Sequence, residues 1–181
     1  MQFVNSPRGE SKEIIADAYS RIGDCYYYQR QFATAKQYYD KATSVDSKNA
    51  DYALFRTAIT QGMEKAYTAK ATTLKQLIRE YPQSTYAEQA YYELGRTYIE
   101  QEKHKDAIAV YDELAKRYPA SQLARRAATE KAMIYNNNGD YANATKAYKA
   151  IIERYPHSEE AQLAVGDLKN IYIEQGDVKA Y

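Results

Sequence analysis

One short segment recurs three times along the chain, a tyrosine and a proline followed two places later by a serine. It begins at Tyr81, Tyr118 and Tyr155, so its prolines follow one another at intervals of 37 residues. A fixed period of this size predicts a chain of stacked repeats, each too small to bury its apolar face alone. The period therefore constrains the fold before any single helix is assigned.

Each recurring segment carries a helix stop followed by a helix start. Proline has no amide hydrogen and disfavours helix at the residue before it, so a helix should end at each tyrosine. Serine is a good N-cap because its hydroxyl accepts a hydrogen bond from an amide of the first helical turn. We therefore predict that new helices begin at Ser84, Ser121 and Ser158.

The apolar residues between these segments have helical spacing. Tyr91, Leu94, Gly95 and Tyr98 fall on one face of a helix. Turn signals separate the two helices of a repeat, at Gln101–Lys103 in one copy and at Gly139–Asp140 in the next. Each repeat is therefore predicted to be two antiparallel helices.

The repeat resembles the tetratricopeptide repeat (TPR), in which an aromatic residue, Leu-Gly and Tyr are followed by Ala, an aromatic residue, Ala and Pro. The best copy matches this pattern at Tyr91, Leu94, Gly95, Tyr98, Ala107, Tyr111, Leu114 and Pro119. The resemblance implies an all-α fold, a TPR-like right-handed superhelix of antiparallel helix pairs. Its units would be about 11–47, 48–82, 83–119, 120–156 and a partial 157–181, preceded by a disordered or extended segment at 1–10.

Two features depart from the family pattern. In the second copy Gln61 and Lys70 replace an aromatic and a small residue. Either that unit packs loosely, or its second helix is shifted so that Ala69 or Ala71 makes the close contact. The period also exceeds the family's 34 residues by three, and these residues follow the proline. They should lengthen the first helix of each pair by about one turn.

No group of residues has the spacing of a catalytic, metal or phosphate site. His104 and His157 are expected in turns without zinc-type neighbours, and Cys25 is expected to be an inert core thiol. Basic and acidic residues are balanced, 25 against 24, and no apolar run approaches the length of a membrane span. We expect no enzyme activity, no cofactor, no nucleic-acid partner and no direct membrane span.

Protein binding is the function that remains. In proteins similar to this one, the first helix of each unit lines a concave surface. The position-by-position candidates for contact with a protein or peptide partner are Tyr28, Tyr52, Arg56, Met63, Tyr92, Arg96, Ile99, Arg126, Met133 and Asn137. Aromatic, methionine and arginine side chains often carry interface energy. The alternative is that several of these side chains, such as Tyr28, Tyr92, Arg96 and Arg126, pack between neighbouring units, as Tyr27, Phe55 and Ile59 on the same helices also could.

One known type of TPR ligand is not expected. Co-chaperone repeats hold a C-terminal carboxylate with a lysine and an asparagine, and here Ser20 and Asp24 occupy those places. Because Asp24 would repel a carboxylate, we expect no clamp of that kind.

The Tyr-Pro segment with its longer period is also similar to repeats of bacterial envelope proteins. Among them are the outer-membrane protein-assembly lipoprotein and the periplasmic protein associated with the Tol-Pal system. The 21 tyrosines, with no tryptophan, are similar to those of large repeat proteins of Bacteroidetes. These resemblances imply a scaffold in a cell-envelope assembly, in the periplasm or at the outer membrane. Two alternatives stay open: a cytoplasmic location, since no signal peptide starts the chain, and a structural or self-associating module of a longer repeat protein.

Overall fold

The computed structural model describes residues 11–176, and within them the chain forms nine α-helices and no strand. In chain order they are α1 (Lys12–Tyr28), α2 (Phe32–Val45), α3 (Asp51–Met63), α4 (Tyr67–Glu80), α5 (Ala87–Glu100), α6 (His104–Arg117), α7 (Gln122–Asn137), α8 (Tyr141–Arg154) and α9 (Glu159–Glu174). The prediction of an all-α, TPR-like helical repeat is confirmed. The expectations for residues 1–10 and for the end of the partial unit lie outside the described residues.

The tyrosines of the recurring segment end helices as predicted. The helix α4 ends at Glu80, and the amide of Tyr81 donates to the Leu77 carbonyl at 2.8 Å. Tyr118 and Tyr155 end α6 and α8 in the same way. The helix stops because each tyrosine precedes a proline, which disfavours the helical conformation there.

The serines of two segments cap the following helix as predicted. Ser121 Oγ accepts a hydrogen bond from the Ala124 amide at 3.2 Å, at the start of α7. Ser158 Oγ accepts from the Ala161 amide at 3.1 Å, at the start of α9. Each bond satisfies an amide that has no partner within the helix.

Ser84 does not cap a helix, which corrects the prediction for its copy. Its hydroxyl donates to Asp51 Oδ2 at 2.5 Å and accepts from the Tyr86 amide at 3.0 Å, and α5 begins only at Ala87. The residues after the proline therefore form a turn here, and α5 has only 14 residues. In α7 and α9, which have 16 residues each, the extra residues lengthen the helix as predicted.

The turn that follows each of α1, α3, α5, α7 and α9 contains one residue in the left-handed conformation. The predicted turns at Gly139 and at Gln101–Lys103 are confirmed by this feature. The residues, which recur at equivalent repeat positions, are Arg30 (φ 61°), Lys65 (57°), Glu102 (58°), Gly139 (72°) and Gly176 (71°). Glycine adopts this conformation without steric cost, whereas the side chains of the other three residues make it less favourable.

The described residues divide into two compact units between Gln101 and Glu102. In the first unit, consecutive helices from α1 to α5 pack on one another. Its fully buried residues include Ala35, Tyr39, Ala58, Leu74 and Leu77. In the second unit, consecutive helices from α6 to α9 pack in the same manner, and a core cluster includes Ala132, Ala144, Tyr148, Ile151 and Ile171.

The irregular second copy is tightly packed, and neither of the two alternatives predicted for it holds in full. The Lys70 side chain is only 11% exposed, and its Nζ lies 2.6 Å from Glu93 Oε2. Leu74 is completely buried, so α4 keeps the usual register, with Ala71 buried beside Lys70. A largely buried ion pair therefore takes the place of the small residue found in the other copies.

Cys25 is exposed, which corrects the prediction of a core thiol. The buried residues Ala16, Ser20 and Gly23 mark the inner side of α1. Cys25 follows Gly23 by two residues, which corresponds to a rotation of about 200° around the helix. Its side chain therefore points away from the core.

The two histidines lie in different repeats, His104 at the start of a helix and His157 in a turn. His104 is the first residue of α6 and not part of the turn, which corrects its predicted place, and its Nδ1 lies 3.1 Å from Asn138 Nδ2. His157 follows Pro156 in a turn as predicted. Among the described residues, no three His, Cys, Asp or Glu side chains come together as a metal site.

None of the helices in this part of the chain is long and apolar enough to cross a membrane.

Candidate functional site

The residues predicted to contact a partner lie on the first helices of the pairs, α1, α3 and α5 in the first unit and α7 in the second. We call the exposed ones the first-helix face of each unit, which consists of Tyr28, Met63 and Arg96 in the first unit and of Arg126, Met133 and Asn137 in the second. Tyr28 retains 80% of its accessible surface, Met63 50% and Met133 46%. Large apolar side chains are thus held in solvent on rigid helices.

The other predicted residues are less accessible. Tyr92 is buried, with 9% of its surface exposed, so it contributes to packing and offers little surface to a partner. Ile99 is half-buried. Tyr52 and Arg56 are also half-buried, because both take part in a network of hydrogen bonds centred on Asp24.

This network, the Asp24 cluster, consists of Asp24, Tyr39, Tyr52 and Arg56 from α1, α2 and α3. Asp24 Oδ1 accepts from Arg56 Nε at 2.8 Å and from Tyr39 Oη at 2.9 Å, and Asp24 Oδ2 accepts from Tyr52 Oη at 2.5 Å. The side chains of Asp24 and Arg56 are each 15% exposed. The Arg56 guanidinium also lies 4.3 Å from the centre of the Tyr27 ring, a distance suited to a cation–π contact.

The two tyrosines of the cluster are neutral donors over the physiological pH range. Burial raises the pKa of Tyr39 and of Tyr52 well above the ordinary phenol value, and the adjacent carboxylate of Asp24 raises it further. The positive charge of Arg56 lowers both pKa values without cancelling the increase. Asp24 therefore holds three charge-assisted hydrogen bonds, a stronger class than bonds between neutral groups.

The cluster arises from a charge inversion at one repeat position. Glu93, Glu130 and Asp167 follow Arg56 at intervals of 37 residues. Each of these acids pairs with the second helix of the preceding helix pair, Glu93 with Lys70, Glu130 with the Tyr111 hydroxyl and Asp167 with Tyr148. In the later copies the acid accepts this hydrogen bond from the preceding helix. Arg56 instead donates one, from its Nε to Tyr39 Oη at 3.3 Å. Asp24 then supplies the missing carboxylate from α1.

The sequence alone indicates only that Asp24 is a negative charge that would repel a carboxylate. In the structure Asp24 is engaged on both of its oxygens, so its charge is largely neutralised within the protein. One sequence signal could have revealed this, because Arg56 is a cation at a position that is acidic in the three following copies.

Three family profiles, each describing the tetratricopeptide repeat, match the chain. One matches residues 71–122 and 92–159, another residues 16–49 and the third residues 52–84. Almost the whole chain from residue 16 to residue 159 is therefore matched. No curated protein sequence gives a significant match.

Solved structures of tetratricopeptide proteins have a similar fold. MamA is 20% identical with a TM-score of 0.70, and the alignment covers 91% of this chain and 85% of MamA. MamA from residue 41 to its end, from Desulfovibrio magneticus RS-1, is 16% identical with a TM-score of 0.68, covering 91% and 88%. YrrB, a TPR protein with an unusual peptide-binding site, is 17% identical with a TM-score of 0.64, covering 90% and 79%. At these identities the similarity shows the fold alone.

Proposed function

Because the chain belongs to the tetratricopeptide-repeat family, we propose that it is a non-catalytic scaffold that binds a protein or peptide partner. Tetratricopeptide repeats mediate protein–protein interactions, and stacked helix pairs of this kind present the first helices on an extended concave surface. The proposed contacts lie on the first-helix face of each compact unit.

The exposure of the first-helix face is the observation that carries this proposal. Tyrosine, methionine and arginine are residue types that contribute strongly to interfaces. Here Tyr28, Met63 and Met133 retain between 46% and 80% of their surface. The peptide-binding site of YrrB, a protein of similar fold, supports a peptide as one form of the ligand.

A direct test uses random unstructured peptides displayed on phage and selected against the protein. The affinity of selected peptides would then be measured by fluorescence polarisation for Tyr28→Ala and Arg96→Ala. We expect each substitution to weaken binding about tenfold, equivalent to about 1.4 kcal/mol. The melting curve should barely change, because both side chains are exposed.

Arg79→Ala is the matched control, since Arg79 is exposed on α4, a second helix, and lies outside the first-helix face. Its peptide affinity should equal that of the wild type. Equal losses in all three variants, or no selected peptide with a Kd below about 1 mM, would contradict the proposal.

The proposed setting is a bacterial cell-envelope assembly in the periplasm or at the outer membrane. Its support is the similarity of the Tyr-Pro repeat to envelope proteins and of the tyrosine-rich composition to repeat proteins of Bacteroidetes. Fractionation of the source organism, followed by immunodetection of the native gene product, tests this part separately. Recovery only in the cytoplasm would refute the envelope setting and leave the binding proposal intact.

A self-associating module is the second candidate function, and the surface of α9 favours it. Leu163, Val165 and Ile173 on this helix are 63%, 46% and 59% exposed. Large apolar side chains in solvent can mark an interaction site. Sedimentation velocity at increasing protein concentration distinguishes the candidates, because a monomer at every concentration argues against self-association.

A further inference from the structure

A cleft of about 460 Å³ opens in the first compact unit, beside the Asp24 cluster. Its walls come from the first half of α1, the end of α2 and the start of α3, and Tyr86 closes one side. The floor consists of small side chains, Ala16, Ser20, Ala42, Ala50 and Ala53. Pockets of about 300–1,000 Å³ are the usual size for ligand sites in proteins.

One repeat position at the cleft carries a smaller residue in the first copy than in the others. Ala42 corresponds to Leu77, Leu114 and Ile151 in the three following copies. Those larger side chains are almost completely buried and fill the space between helices, with exposures of 0%, 0% and 2%. Ala42 at the same position lines the cleft, and its short side chain occupies less of this space than leucine or isoleucine would.

The cleft contains a buried carboxylate whose hydrogen-bond partners are uncharged. Asp46 is only 7% exposed. Its Oδ1 accepts from the Lys48 amide at 3.1 Å and its Oδ2 accepts from Asn49 Nδ2 at 2.7 Å. Within residues 11–176 no ion pair to Asp46 is formed. The hydrogen bond from the Asn49 side chain is the main cause that lowers the pKa of Asp46, and the nearby positive charge of Lys12 lowers it further. A carboxylate has about four acceptor positions, so Asp46 can accept further bonds.

The rest of the lining adds two carboxylates, the Arg21 guanidinium and aromatic surface. Glu13 and Asp17 stand at the cleft on α1, and Asp17 is only loosely paired with Arg21, at 3.3 Å with both side chains well exposed. Tyr52 and Tyr86 form an aromatic wall, with ring centres 5.5 Å apart. Aromatic faces attract cations, most strongly where water is partly excluded.

We propose that this cleft binds a lysine or arginine side chain of the partner protein, with Asp46 as the main carboxylate contact. The aliphatic stem of such a side chain packs on the alanine floor, and its cationic end reaches Asp46 and Glu13. The cleft is thus a specificity site for a basic residue within the proposed protein-binding function, on which this inference rests. An acidic side chain would be repelled by Asp46, Glu13 and Asp17, and an uncharged one would gain no ion pair, so both would bind more weakly.

The test uses capped pentapeptides of the sequence Gly-Ala-Xaa-Ala-Gly, in which Xaa is lysine, arginine, acetyl-lysine, norleucine or glutamate. Binding is followed by ¹H–¹⁵N NMR through the amides of Ala50 and Ala53, which lie in the cleft wall. We expect the lysine and arginine peptides to shift these amides with affinities at least about tenfold higher than those of the other three. Raising sodium chloride from about 50 mM to about 300 mM should weaken the binding, because salt screens the carboxylates.

Three variants locate the effect. Ala42→Leu introduces the side chain of the later copies and should abolish the shifts by filling the cleft. Asp46→Asn should reduce lysine-peptide affinity about tenfold, and Glu13→Gln, at an exposed position that cannot disturb the core, should reduce it about twofold. Glu80→Gln, an exposed carboxylate outside the cleft, is the matched control and should have no effect.

The inference is overturned if norleucine binds as tightly as lysine, or if a folded Ala42→Leu variant binds normally. Should Ala42→Leu or Asp46→Asn fail to fold, the Glu13→Gln variant and the peptide series still decide the outcome. Failure here is distinguishable from failure of the proposed function. If phage-selected peptides still depend on Tyr28 and Arg96, the scaffold proposal stands and only the basic-residue site is rejected.

Discussion

The Asp24 cluster offers a stringent test of how this protein is stabilised. Asp24→Asn keeps the shape of the side chain but removes its charge, so Arg56 becomes a largely buried cation without its carboxylate. Arg56→Met removes the cation and keeps much of the apolar stem. The double variant removes both charges, and the three proteins with the wild type form a double-mutant cycle.

The expected magnitudes follow from the burial of the pair. Removing one member of a fully buried ion pair costs about 3–5 kcal/mol, and each side chain here is 15% exposed. We therefore expect a cost at the lower end, about 3 kcal/mol for Asp24→Asn. For Arg56→Met we expect about 2 kcal/mol, because Asp24 keeps its hydrogen bonds from Tyr39 and Tyr52. The double variant should lose far less than the sum, with a coupling energy of about 2–3 kcal/mol.

Urea unfolding followed by circular dichroism measures these quantities. The amide signals of α1 to α3 in hydrogen-exchange experiments would localise the change to the first unit. Additive losses, with a coupling energy below about 0.5 kcal/mol, would show that the charges act independently and would refute the reasoning from burial.

The remaining predictions concern the repeat backbone and the buried tyrosines. Gly23→Ala should lower the free energy of unfolding by about 2 kcal/mol, because the new Cβ would lie 2.5 Å from Tyr39 Cε1. Gly166→Ala should raise it by about 0.5–1 kcal/mol, because the space around Gly166 is open. Urea midpoints check the pair, and equal effects would contradict the role assigned to Gly23. Lys65→Gly should raise the melting temperature by a few degrees, since Lys65 has a φ of 57° that glycine adopts freely; a decrease would mean that its side chain contributes more than the conformation costs. The pKa of Tyr39 and of Tyr148 is raised by burial, so their contribution to stability is complete below the ordinary phenol value of about 10 and is lost as pH rises towards the folded values. Absorbance titration at alkaline pH should show both phenols ionising together with unfolding, and early ionisation in the folded protein would contradict this.

The sequence predicts the helix pairs well because helix ends depend on local chemistry. A proline after Tyr118 and a serine at position 121 act on the backbone within one turn, and both effects appear as expected. Ser84 shows where such local reasoning fails. The same Tyr-Pro-x-Ser signal is present, but a hydrogen bond to Asp51, 33 residues earlier in the chain, accompanies a later helix start.

The candidate site was predicted less completely, because exposure depends on contacts between helices. A repeat position marks which side of a first helix a residue occupies, and on that basis Tyr28 and Tyr92 are equally good candidates. Tyr28 is 80% exposed, however, and Tyr92 only 9%. Neighbouring helices determine this difference, so it cannot be read from one copy of the motif.

Comparison between the copies does identify the sites at which this chain departs from a plain repeat. Where the copies agree, as at Leu77, Leu114 and Ile151, the side chains fill the core and serve the fold. Where one copy differs, the change in charge or in side-chain volume is either matched by another residue of the protein or left unmatched. Arg56 is compensated by Asp24, since the reversed charge is matched within the protein. Ala42 is uncompensated, since no side chain of the described residues fills the cleft that it leaves. The departure at Ala42 therefore coincides with a cleft lined by the carboxylate of Asp46, and this coincidence is the physical reason to seek the function of the first unit in that cleft.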